Sequence, residues 1–109
     1  MSTELRREIR HKTHAKVVVQ GHEVPGYLRD LSQTGCRLSL IRPLELKREE
    51  ALTVTVLANP EIGLLQSSFF LLVLWTQADP VFFNVGGRLR PLPGQENEQG
   101  FQRLFEYYQ

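Results

Sequence analysis

Apolar and polar residues alternate along much of this chain with a period of two. The stretch Cys36-Arg37-Leu38-Ser39-Leu40 alternates strictly, and Leu52, Val54 and Val56 alternate with Thr53 and Thr55 in the same way. Such a period belongs to strands with one buried and one solvated face. Residues 15–20, built around Val17-Val18-Val19, predict an earlier strand that ends at a Gly21-His22 turn. A second strand is expected over 24–31, interrupted early by Pro25-Gly26. Residues 68–75 are apolar on both parities, which predicts a strand covered on both faces, with a helix as the cover. After an Ala78-Asp79-Pro80 turn, residues 81–89 predict the last strand, with a bulge at Gly86-Gly87. Six short strands punctuated by turns point to a mainly β protein, an antiparallel barrel, closed or sandwich-like.

Beyond Pro91 and Pro93 the period lengthens. Phe101, Leu104, Phe105 and Tyr108 fall at i, i+3, i+4 and i+7, one face of a C-terminal helix. So short a helix is marginal alone and must dock that aromatic face on the barrel. Residues 1–14 are polar without clear periodicity and are expected to form a flexible N-terminal arm, leaving 15–109 as the barrel-plus-helix body of one domain.

Length and charge narrow the picture. A chain of 109 residues fits one small domain, and a formal net charge of +1 excludes a bulk nucleic-acid binder. The charge is uneven, however. Residues 1–16 carry five Lys and Arg against two Glu, plus His11 and His14. A cationic arm on a near-neutral body suits a small anionic ligand better than a polyanion. Cys36 is the one cysteine, so no intrachain disulfide forms. The N-terminus has no apolar signal core, and the longest apolar run, 69–75, is too short to span a bilayer. A cytoplasmic location without membrane insertion is expected.

Two polar signatures carry the chemistry. One is Arg6-Arg7-Glu8-Ile9-Arg10, an arginine, three residues and another arginine; the other is Asp30-Leu31-Ser32-Gln33-Thr34-Gly35. A guanine accepts two hydrogen bonds on its Hoogsteen edge and donates from its Watson–Crick edge. An arginine fork matches the first edge and a carboxylate the second, while arginine also binds phosphate and stacks on bases. This pairing, in this order and followed by strands and a terminal helix, resembles the PilZ domain, the bacterial receptor module for cyclic diguanylate (cyclic di-GMP).

The resemblance implies a six-stranded PilZ-type barrel and a receptor or adaptor that changes conformation on binding cyclic di-GMP to regulate an effector protein. Arg6 and Arg10 match the family's two arginines and would take phosphates and guanine edges; Arg7 between them would stack on a base or reach a phosphate. Asp30 would accept from guanine N–H groups. Ser32, two positions on, is expected on the same outer face, offering its hydroxyl to phosphate or base. Gly35 would supply a positive φ or room for close approach. Trp75, expected at its strand's end, would lend a face to a stacked base or pack at the rim. Arg88 and Arg90 share one side of the last strand, where they are expected by default as solvated charges, the alternative being an extension of the positive surface. Leu5 stands where some family members carry another arginine that helps hold a second ligand, so one ligand per protomer is expected. Cys36 shares the inward parity of Leu38 and Leu40 and is expected to pack.

Other functions fit the residues poorly. Asp30 and Ser32 make no catalytic triad, and no nucleophile elbow or oxyanion loop accompanies them. His11, His14 and His22 lack companions at metal-ligand spacing, so no metal or cofactor is expected. Basic residues and aromatics are not interleaved along one strand as a nucleic-acid-binding barrel requires. The remaining alternative is a PilZ-like protein-interaction module that binds no nucleotide. A monomer is expected.

Overall fold

The computed structural model describes residues 13–109. Six strands run in order: β1 (Ala15–Val19), β2 (Val24–Leu31), β3 (Gly35–Leu40), β4 (Ala51–Val56), β5 (Ser67–Ala78) and β6 (Phe83–Pro91). A short 3-10 turn at Pro60–Ile62 leads into β5, and one helix, α1 (Gln95–Tyr107), ends the chain. All pairings are antiparallel, and the strand order β1-β2-β3-β6-β5-β4 closes on itself through β1 and β4. Closure leaves no strand edge open. The alternation seen in the sequence fills the interior: Val17 and Val19, Leu38 and Leu40, Val54 and Val56, Phe69 and Leu71 are all fully buried. Each such side chain contributes about 1.5–3 kcal/mol of burial.

Helix α1 caps one end of this barrel. Leu104 is fully buried in the barrel core, with Phe101, Phe105 and Tyr108 packed beside it, so the predicted face is the docking face. The Phe101 and Phe69 rings meet edge-on at 6.1 Å. Asn97 fixes the helix to β5: its Oδ1 accepts from Ser68 N at 2.6 Å, and its Nδ2 donates to Ser68 O and Leu92 O. Gly100 lets the two surfaces meet, since a Cβ there would fall 2.7 Å from Gln66 O.

Four details depart from the pattern expected. Residues 68–75 are buried on one face only: Phe70 and Trp75 stay 41% and 45% exposed, because α1 covers the barrel's end rather than this wall. Trp75 does not end its strand, since β5 runs on to Ala78 and β6 begins at Phe83 after a turn held by Asp79. The bulge near Gly86 and Gly87 lies on the opposite strand. Val73 pairs with Gly87 and Trp75 with Gly86, leaving Leu74 as the extra residue. Pro25-Gly26 does not break β2, which stays continuous; Gly26 instead admits β3, as a Cβ there would sit 2.4 Å from Ser39 O.

Candidate functional site

A second bulge positions the site. Leu28 is fully buried, so strict alternation would aim Asp30 inward and Leu31 outward. The β2–β3 register slips by one residue between Leu28 and Asp30, with Arg29 unpaired. Leu31 is thereby returned to the core, and Arg29 and Asp30 both lie on the outer side. Bulges re-aim side chains in this way next to binding sites.

The Asp-x-Ser-x-x-Gly segment is the hairpin between β2 and β3. Ser32 N donates to Gly35 O at 2.9 Å, and the Ser32 hydroxyl donates to Gly35 O and accepts from Gly35 N at 3.2 Å. Ser32 therefore lies just past the strand end, with its hydroxyl turned into its own turn. Gly35 has no positive φ, unlike Gly21, Gly63 and Gly94. What it provides is close approach: a Cβ at Gly35 would come 2.7 Å from Gly87 O.

The hairpin register sets Asp30 opposite Arg37, and Arg37 Nε donates to Asp30 Oδ2 at 2.8 Å. Both side chains are well exposed, at 67% and 44%. The pair therefore stabilises the fold by only about 0.2–1 kcal/mol. The row continues across the barrel wall. Arg37 pairs with Gly86, and Gly86 pairs with Trp75. Gly86 carries the Trp75 indole, because a Cβ there would fall 2.2 Å from the ring. Asp30, Arg37 and Trp75 thus stand in one line over four neighbouring strands.

Beside the Asp30–Arg37 end of this line opens a cleft of about 610 Å³ lined by His14, Arg29, Asp30, Ser32, Gly35, Arg37 and Tyr108, among others. Arg29 is held at its floor by several contacts. Its Nε donates to Ser39 Oγ at 2.9 Å, and its guanidinium lies 4.8 Å from the Phe82 ring centre and 5.7 Å from that of Tyr27. Arg29 NH1 lies 3.3 Å from His14 Nδ1. Desolvation, followed by the Arg29 charge, lowers the His14 pKa, so a neutral imidazole accepts this bond at pH 7. Ser39 Oγ donates in turn to Asn84 Oδ1 at 2.7 Å, and Asn84 Nδ2 to Asp79 Oδ2 at 2.9 Å. Hydrogen bonds from Phe82 N, Asn84 and Val81 N hold the Asp79 carboxyl below its usual range. Tyr108 closes the opposite wall. Its hydroxyl accepts from Ala15 N at 3.0 Å and donates to Leu28 O, so it joins β1 to β2 at the cleft.

Of the residues singled out in the sequence, Asp30, Ser32 and Gly35 line the cleft together, whereas Trp75, in register with Arg37 through Gly86, does not line it and stands in a separate groove with Leu46 and Arg48. Arg6, Arg7 and Arg10 lie outside the described residues. Arg88 pairs with Gly35 across β3 and β6, and Arg90 lies two residues farther along β6 on the same outer face. His14, Arg29, Arg37 and Tyr108 were not anticipated. Arg37 had a usable signal, since a hairpin turning at Ser32–Gly35 sets opposite charges at positions 30 and 37 face to face. The other three reach the cleft from the first described residues, from the bulge and from the chain's far end. Cys36 is buried, and desolvation pushes its thiol up to about 12, consistent with its inward parity.

A family model for the PilZ domain matches residues 4–106, nearly the whole chain. The chain belongs to the PilZ domain family. No curated protein and no solved structure matches it. PilZ domains are in general receptors for cyclic di-GMP, binding and adaptor modules rather than enzymes. The described part of this PilZ domain gathers no three metal-ligating side chains at one point, and none of its helices is long and apolar enough to cross a membrane.

Proposed function

We propose that this PilZ domain is a receptor for cyclic di-GMP that changes conformation on binding and so regulates a partner protein in the bacterial cytoplasm. One observation carries the reading: the bulge and hairpin turn Asp30 and Arg37 outward as a solvent-exposed acid–base pair at the mouth of one cleft. Asp30 is an acceptor for the guanine N–H edge, and Arg37 offers donors to the Hoogsteen edge or to phosphate. The Trp75 face, in line with both, suits a stacked base. Ser32 orders the turn with its hydroxyl, leaving backbone groups of the hairpin to meet the ligand.

Arg6, Arg7 and Arg10 supply the remaining cations. Thr13 is tied to the end of α1, where Tyr107 Oη donates to its carbonyl at 2.6 Å. Closing of this arm over a doubly charged ligand is the conformational change that a partner reads. Fixing each arm residue costs about 1–2 kcal/mol, which the charge-assisted contacts must offset.

Calorimetric titration with cyclic di-GMP, with GTP as control, tests the reading. Heat is expected from the cyclic dinucleotide alone, and the double change Arg6→Ala with Arg10→Ala should abolish it without lowering the melting temperature. A folded protein that yields no heat with cyclic di-GMP is an interaction module that binds no nucleotide, and the proposal fails.

A further inference from the structure

The outer wall of β5 and β6 carries a second surface that the nucleotide cleft does not use. Phe70 stands directly opposite Arg90, and Leu72 directly opposite Arg88, with all four on the outer face. Ala51 of β4 continues the apolar strip beside Leu72, and together they line a groove of about 350 Å³. Phe70 is 41% exposed. Neither arginine has a carboxylate partner: among the described residues the one ion pair is Asp30–Arg37. Two bare guanidinium groups beside an open aromatic ring form a surface complementary to negative charge with an apolar stripe.

We infer that this wall docks an acidic amphipathic helix of the partner protein. The barrel is closed, so no strand can be added and recognition must run through side chains. Arg88 and Arg90 are two residues apart on a strand, hence about 7 Å from each other. Carboxylates at i and i+4 on a helix, about 6 Å apart, match that spacing, and apolar residues on the same helix would cover Phe70 and Leu72. A membrane surface is disfavoured because the groove is concave and offers only two cations. Arg88 also pairs in register with Gly35 of the nucleotide hairpin, so a helix on this wall abuts the cleft. The inference rests on the adaptor half of the reading above and not on nucleotide binding.

A phage-displayed library of helical peptides, selected on the full chain with and without cyclic di-GMP, tests it. Selection should enrich Asp or Glu at i and i+4 beside aromatic or aliphatic residues. Binding of a selected synthetic peptide, read by fluorescence anisotropy, should weaken by about tenfold or more in Arg88→Ala with Arg90→Ala, and likewise in Phe70→Ala. The same variants should keep the melting temperature and the cyclic di-GMP titration of the unaltered protein. Enrichment of basic or uncharged peptides, absence of enrichment, or binding unaffected by these changes would overturn the inference. So would sedimentation showing a dimer that the arginine changes dissolve, since the occupant would then be a second copy. Loss of cyclic di-GMP binding in the unaltered protein strikes the receptor reading alone.

Discussion

Replacing Tyr108 by Phe removes one oxygen atom from the junction of helix, barrel and cleft. That hydroxyl accepts from Ala15 N and donates to Leu28 O, two residues that pair across β1 and β2. Ala15 is 1% exposed, so its N–H loses its partner where water cannot replace it. A buried donor left bare costs about 1–3 kcal/mol, and the carbonyl adds a smaller loss because it retains a second lone pair. A total of about 2 kcal/mol is expected. At an unfolding entropy of roughly 2.1 cal/mol/K per residue, a domain of this size should melt roughly 8–10 °C lower.

The gap should also depend on pH. Burial is the main cause that pushes the Tyr108 phenol up to about 12, whereas in the unfolded chain it ionises near 10. Between those values the folded protein holds a proton that the unfolded chain releases, so rising pH favours unfolding. The stability difference between the unaltered protein and Tyr108→Phe should therefore be full below pH 10 and shrink towards pH 12. Taking the difference cancels the other groups that titrate there. Urea melts of both proteins at pH 8, 10 and 11.5 provide the measurement. Equal stability at pH 8, or a gap that widens with pH, would refute the bridging role.

Other changes separate site from scaffold. Asp30→Asn and Arg37→Ala should each weaken cyclic di-GMP binding measured by calorimetry, while changing unfolding free energy by no more than about 1 kcal/mol; unchanged affinity would remove the pair from the site. Trp75→Ala deletes a stacking face typically worth about 1–3 kcal/mol, so affinity should fall roughly 5- to 150-fold, and no change would place Trp75 at the rim only. Gly86→Ala puts a Cβ 2.2 Å from the indole and should displace it, visible as a shifted tryptophan emission; an unaltered spectrum would contradict the packing. Cys36, buried with its thiol pushed up, should not react with a thiol reagent at pH 8 until the protein unfolds.

The barrel was largely legible because its pattern is local. Cys36 to Leu40 and Leu52 to Val56 alternate strictly, and each inward position is buried. The helix face of Phe101, Leu104, Phe105 and Tyr108 was equally plain, because a 3.6 period survives even in a short segment. Residues 68–75 misled, since an apolar run does not say which side is covered, and here Phe70 and Leu72 face outward. Neither bulge residue announces itself: Arg29 and Leu74 are ordinary strand residues, and only pairing with β3 and β6 shows them as extra. The site divides in the same way. Asp30, Ser32 and Gly35 form a contiguous motif, whereas His14, Arg29 and Tyr108 converge only after closure and helix docking. Ser32 belonged to the motif, yet its hydroxyl serves the turn, a use that motif spacing alone does not distinguish from ligand contact.

Nitrogen-15 NMR of the folded protein during titration with cyclic di-GMP tests the receptor reading most directly. The account predicts saturable shifts at the amides of Asp30, Ser32, Gly35 and Arg37 and at the Trp75 indole N–H, with Thr53 and Thr55 on the far wall unmoved. A well-dispersed spectrum that ignores the ligand at high micromolar concentration, or shifts confined to the β4 wall, would contradict it.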